Sequence, residues 1–167
     1  MKILDLIETD FVNYKKTCMT VMFPYCTFKC NQDAGRIVCQ NYESRNSKLI
    51  DISSNEIVQR YLNNPMVEAL VMQGLEPFDS FADMCELVGR FSVWCTSDIV
   101  IYTGYKEFEI ENQIEMLCRF IHNYNTLIIK FGRYIPDRPT VFDELLGVTL
   151  QSDNQYAKIV FGSKGGK

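Results

Sequence analysis

Nitrogen ligands are scarce in this chain: His122 is its only histidine, and it falls at the end of a helical pattern far along the chain from Cys26, Cys30 and Cys39. Basic runs are missing too. No Lys/Arg run is longer than two and the net charge is −4. A nucleic-acid surface needs a basic stripe, so no nucleic-acid partner is expected. No apolar run approaches the roughly 18 to 20 residues that cross a bilayer, so no membrane span is expected. The opening stretch, Met1–Glu8, is interrupted by acids and lacks the apolar centre of a signal peptide. The expected location is therefore the cytoplasm, where thiols stay reduced and stable disulfides are rare.

The 167 residues include 47% hydrophobic and 23% charged side chains, an ordinary balance for a globular chain long enough to bury a core. The expectation is one domain over residues 1–162, followed by a flexible C-terminal tail, 163–167, with little to bury. Seven cysteines are an odd number, so complete internal pairing is impossible. Several reduced thiols close together suggest metal or redox chemistry.

Apolar runs alternate with helical patterns. Strands are predicted at Cys18–Phe23, Ala69–Met72, Asp98–Tyr102 and Thr126–Lys130, with a late one at Tyr156–Phe161. Ser53 and Glu56 have the spacing of a capping box, opening a helix that should bury Ile57, Val58, Tyr61 and Leu62. Asn63-Asn64-Pro65 should stop it. A second helix begins near Ser80 and Asp83, with Phe81, Met84, Cys85, Val88 and Phe91 inward. A third is predicted around Asn112–Ile121, through Ile114, Leu117, Cys118 and Ile121. Strand–loop–helix–strand repetition implies right-handed βαβ units. There are too few for a full eight-stranded barrel. The expected class is α/β, a partial (β/α) barrel with a mostly parallel sheet. Ligands sit beyond the carboxyl ends of such strands. Three unusual loops should meet there: Cys26–Cys39, Gly74–Pro77 and Thr103–Tyr105.

Cys26, Cys30 and Cys39 follow the first of these strands at spacing C-x3-C-x8-C. Their neighbours Lys29, Asn31, Gln32, Asp33 and Arg36 are polar, so apolar burial explains them poorly. Cys85 and Cys118 lie on apolar helical faces and read as core thiols; Cys18 and Cys95, beside strands, read the same way. A structural zinc would need a fourth ligand from Cys18, His122 or a carboxylate. An iron–sulfur cluster held by three thiolates would keep one corner open. The cysteines alone leave both readings standing.

Five short motifs in order resemble radical S-adenosylmethionine enzymes, and more narrowly the activating proteins of anaerobic ribonucleoside-triphosphate reductase. They are the cysteine set followed by Asn41; Gly74-Leu75-Glu76-Pro77; Tyr102-Thr103-Gly104-Tyr105; Ile129-Lys130-Phe131-Gly132-Arg133-Tyr134; and Ser152-Asp153-Asn154-Gln155. The likeness covers about Phe11 to Val160. Three departures stand out. The second cysteine gap is eight residues where the family has two, Leu75 stands where it has glycine, and Lys130 replaces its usual acid.

The resemblance implies a [4Fe–4S] cluster on Cys26, Cys30 and Cys39, with the open iron chelated by the amino and carboxylate groups of S-adenosylmethionine. Glu76, beside the Gly74 backbone, would accept from the cofactor's ammonium. Tyr102 and Thr103 would face the cofactor, Asn41 would hydrogen-bond near the cluster, and Phe28 would shield it. The implied activity is reductive cleavage of the sulfonium to a 5′-deoxyadenosyl radical. The implied partners are the large subunit of anaerobic ribonucleotide reductase, which acquires a glycyl radical, and a reducing electron donor such as a small flavoprotein. Another radical S-adenosylmethionine enzyme, a degenerate cluster-binding relative, and a zinc-stabilised interaction module are the alternatives.

Overall fold

The computed structural model describes residues 1–122 and 124–162; the expected tail, 163–167, lies outside them. The strands are β1 (Lys2–Ile3), β2 (Asp5–Asp10), β3 (Cys18–Phe23), β4 (Ile50–Asp51), β5 (Ala69–Gly74), β6 (Asp98–Tyr102), β7 (Leu127–Phe131), β8 (Val141–Asp143), β9 (Val148–Leu150) and β10 (Tyr156–Phe161). The α-helices are α1 (Lys29–Ala34), α2 (Ser54–Leu62), α3 (Phe81–Trp94) and α4 (Glu111–Cys118). Six strands form the main sheet in the order β10-β7-β6-β5-β3-β2. The central four run parallel, and the two edge strands β10 and β2 are antiparallel to their neighbours.

The central strands are apolar along most of their length because both faces are covered. On one face Met19, Val21, Leu70, Met72, Ile99, Ile101 and Ile129 meet α2, α3 and α4 through Ile57, Val58, Met84, Leu87, Val88, Phe91 and Leu117. On the other, Cys18, Ala69, Val71, Val100 and Ile128 lie under Tyr14, Leu146 and Leu150. The β8–β9 hairpin supplies the last of these. Full burial of side chains of this size contributes about 1.5–3 kcal/mol each before the entropy of ordering is subtracted.

Helix α2 starts as its capping pattern requires, with Ser53 Oγ accepting from the Glu56 N–H at 3.1 Å. The Glu56 carboxylate turns outward to Arg60 at 2.7 Å, so only half of the capping box forms. Ile57, Val58 and Tyr61 are buried as expected, but Leu62 is 47% exposed because it falls off their stripe. The third helix is shorter than Asn112–Ile121, ending at Cys118; Ile121 is buried from the segment beyond it.

Near the carboxyl ends of the parallel strands, the face under Tyr14 and Leu146 turns polar. Register sets Met22 beside Gln73, and Tyr102 beside Lys130. The loops after β3, β5 and β6 rise around this row.

Candidate metal centre

The chain leaves β3 at Phe23 and reaches Cys26 three residues later. What reads in the sequence as an open polar loop then contains α1. Phe28 stands before the helix at φ +52°, and its carbonyl accepts from Asn31 and Gln32. A left-handed φ at a phenylalanine costs about 1–2 kcal/mol. The ring is held by an edge-to-face contact with Tyr42, centroids 5.0 Å apart. Gly35 ends α1 at φ +62°, the usual left-handed cap. The rest of the long gap then folds back. Asn31 Oδ1 accepts from the backbone N–H groups of Val38 at 2.8 Å and Cys39 at 2.9 Å. One asparagine side chain thus closes the eight-residue gap and returns Cys39 to Cys30.

All three cysteines are partly exposed free thiols, and all three line one cavity of about 390 Å³. Asn41, Gly74, Glu76, Tyr102 and Thr103 line it as well. The cysteine loop and the turns after β5 and β6 therefore meet in one place, while Phe28 is not part of the cavity lining. The remaining cysteines stay apart: Cys18, Cys85 and Cys95 are buried, and Cys118 packs against the helix-side core. His122 is exposed and does not line the cavity.

The thiols differ electrically. Cys30 Sγ donates to Asn31 Oδ1 at 3.7 Å, and Cys30 and Cys39 act on one another: the Cys30 thiol lowers Cys39, while Cys39 together with burial pushes Cys30 up. Burial pushes Cys26 up to about 12, against the pull of the Phe28 N–H, which donates to its sulfur at 3.1 Å.

The turn after β5 is tight. Gly74 adopts φ +111°, and an added Cβ would lie 2.6 Å from Phe23 N. Leu75 carries no left-handed backbone, so the side chain at this point is accommodated. Asn41 Nδ2 donates to Gly74 O at 3.2 Å and so ties the cysteine loop to this turn. Glu76 is 3% exposed and fully engaged. Its Oε1 accepts from Phe78 N at 3.2 Å and Thr103 Oγ1 at 2.8 Å, and its Oε2 accepts from Gly104 N at 2.8 Å. Burial still raises it to about 7. The proton of the Thr103 hydroxyl is therefore committed to Glu76, and Tyr102 donates its own to Asn13 O at 2.6 Å. Both residues meet the cavity without a free hydroxyl proton.

Sequence reading missed Asp79 and Glu109. Asp79 accepts from Thr27 N and Tyr105 OH, each at 2.6 Å, joining the cysteine loop to the turn after β6. Glu109 receives both terminal nitrogens of Arg133, at 2.8 and 2.7 Å. An acid after a proline-initiated turn and another in a short helical turn carry no signal that marks them in advance. The Ser152–Gln155 stretch clamps the end of β7. Gln155 Nε2 donates to Gly132 O and Asn154 Nδ2 to Arg133 O, at 3.1 and 2.8 Å.

The donor chemistry suits iron and sulfur: three thiols with an N–H directed at one sulfur, on a cavity wall that retains open volume. Among the described residues no group of three or more His, Cys, Asp or Glu side chains is set to hold a single metal ion. A polynuclear core takes its thiolates at separate iron corners, so such tight convergence is not required of it.

Three cysteines clustered at the carboxyl edge of a parallel sheet mark a candidate thiolate metal site. The comparison with known families makes this specific: residues 15–143 match the model of the 4Fe-4S single cluster domain, and the chain belongs to that family. No match was found among curated proteins or among solved structures.

Proposed function

We propose that the chain is a radical S-adenosylmethionine enzyme that activates an anaerobic ribonucleotide reductase, with a [4Fe–4S] cluster on Cys26, Cys30 and Cys39 and S-adenosylmethionine in the adjoining cavity. The chemistry those groups supply when bound is reductive cleavage of the sulfonium, giving methionine and a 5′-deoxyadenosyl radical that takes a hydrogen atom from a glycine backbone carbon of the reductase.

The residues of this chain bind and orient. Asn31 holds Cys39 beside Cys30, and the Phe28 N–H stabilises negative charge on the Cys26 sulfur. Glu76 fixes the turns after β5 and β6 around the cavity, and its negative charge favours an ammonium nearby. A sheet curved as a partial barrel would leave one side free for a protein loop and exclude water elsewhere.

The observation that carries the reading is the meeting of the three cysteines with the Glu76 and Thr103 turns on one cavity wall. The family match supports the cluster. The partner and the electron donor, a small flavoprotein for instance, come from the motif resemblance. To test it, the reduced, reconstituted protein is mixed with S-adenosylmethionine and the candidate reductase. The expected result is a glycyl radical on the reductase by electron paramagnetic resonance. Cofactor cleavage with no partner radical would replace this reading with another radical S-adenosylmethionine activity.

A further inference from the structure

Asp79 is a partly buried acid beside the cysteine loop, and it takes only neutral donors. The Thr27 N–H donates to its Oδ2 and the Tyr105 hydroxyl to its Oδ1, each at 2.6 Å. Burial and then the bond to Asp79 raise the Tyr105 phenol to about 12, so it stays a donor at neutral pH. Among the described residues no lysine or arginine forms a salt bridge with Asp79. The cations around Tyr105 are engaged by other acids: Lys29 lies 3.8 Å from Glu109, and Arg133 is bound by Glu109 at 2.7 Å and Asp33 at 3.1 Å.

The Thr27 N–H that Asp79 holds belongs to the peptide link leaving Cys26. The Thr27 carbonyl accepts from Gln32 Nε2 at 2.8 Å, and Thr27 Oγ1 lies 3.4 Å from Tyr105 OH. Thr27 is thus gripped from both sides, and the next residue is Phe28, at φ +52°. A strained backbone of this kind persists only where its surroundings over-determine it. The strain has a use, because the Phe28 N–H points at Cys26 Sγ at 3.1 Å. Asp79 also brings charge to the same sulfur. After burial, the neighbouring charges that push the Cys26 thiol up are those of Glu76 and Asp79. Burial raises Glu76 itself to about 7, so it carries only part of its charge at neutral pH. A negative charge a few ångströms from a redox centre opposes the arrival of an electron.

We propose that Asp79 is a positioning residue of the metal centre and sets its redox poise. It fixes the turn between Cys26 and Cys30, and its unpaired charge holds down the reduction potential of a cluster bound there. The inference rests on the cluster in the function proposed above, and not on S-adenosylmethionine or the reductase. An amide in place of the carboxylate keeps the shape and an acceptor for the Thr27 N–H while removing the charge, so the two parts of the role separate.

The test is a redox titration of the full chain after anaerobic reconstitution with iron and sulfide, read by visible bleaching and electron paramagnetic resonance. The variants are Asp79→Asn, Asp79→Ala and Tyr105→Phe, with folding checked by circular dichroism. Hydrogen exchange across Cys26–Gln32 is measured on the metal-free chains. The Asn variant is expected to take up iron and sulfide like the native chain. At the potential that half-reduces the native centre, its ratio of reduced to oxidised cluster should be about three- to tenfold higher; tenfold corresponds to about 59 mV for one electron. The Ala variant should shift the same way and, in addition, lose protection at the Thr27 amide. Tyr105→Phe keeps the charge and should leave the ratio near native. An unchanged ratio in the Asn variant overturns the proposal, and so does unchanged exchange in the Ala variant. An equal rise in Tyr105→Phe also overturns it, because loop disturbance rather than charge would then set the potential. A native chain that takes up no iron and sulfide removes this inference and the function proposed above together; a cluster indifferent to Asp79 removes this inference alone.

Discussion

Thr103 donates its hydroxyl to Glu76 Oε1 at 2.8 Å, which locks the turn after β6 onto the turn after β5. Burial raises Glu76 to about 7 in the folded chain, from a usual value near 4.5. A raised carboxylate stabilises most when protonated. Its contribution is complete below about pH 4.5 and is lost as pH rises through about 7. Glu76→Gln should therefore flatten the stability curve in that window, by a few kcal/mol at most. Urea midpoints of both proteins from pH 4 to 8 test this; parallel curves would contradict it.

Arg133 and Glu109 act in a different window. The guanidinium holds Glu109 down at about 2, so its stabilisation is present above about pH 4.5 and fades as pH falls towards 2. Arg133→Met should cost about 2–4 kcal/mol at neutral pH, because Glu109 and the Arg133 site are partly or fully buried. The difference between native and variant should shrink in acid. Thermal midpoints at pH 7 and pH 3 decide it.

Gly74→Ala meets both a left-handed φ of +111° and backbone atoms of Phe23 at 2.6 and 2.8 Å. Rigid strands surround the clash, so nothing nearby can yield. The expected cost is about 3 kcal/mol or more. Leu75→Ala, at an ordinary backbone position, should cost less than about 1.5 kcal/mol. A denaturation series on the two variants gives the comparison.

The cysteines should separate into two groups. Alanine at Cys26, Cys30 or Cys39 should abolish stable iron and sulfide incorporation while barely moving the thermal midpoint of the metal-free chain. Alanine at Cys85 or Cys95 should do the reverse: full incorporation, with a loss of about 1–2 kcal/mol from core packing. Iron and acid-labile sulfide assays beside thermal melts read both effects.

Much of this arrangement is legible in the sequence where burial is two-sided. Asp98–Tyr102 and Cys18–Phe23 have the bounds their apolar runs announce, and the half-exposed edge strand Tyr156–Phe161 has its expected bounds as well. The meeting of three loops at one end follows from parallel order alone. Strand β2 is not legible: Asp5-Leu6-Ile7-Glu8-Thr9-Asp10 is acid-rich because it lies at an edge, where charges guard against further pairing. The direction of β10 is not written locally either, since an antiparallel partner leaves the same apolar pattern as a parallel one.

Within the site, the sequence points to the cysteines but not to how their long gap closes. That depends on Asn31 reaching Val38 and Cys39 across a turn set by Gly35, a tertiary event with no periodic signature. Lys130 is a similar case. Set against the family's acid it is an anomaly, and its surroundings give it a physical meaning only once Thr103 and Gly132 are seen beside it.

The most direct measurement is anaerobic reconstitution of the chain with iron and sulfide, followed by metal and labile-sulfide counting. A cluster on the three cysteines predicts about four irons and four sulfides per chain, with broad visible absorption. One tightly held zinc with no labile sulfide, in a chain whose Cys26, Cys30 and Cys39 are intact, would contradict it.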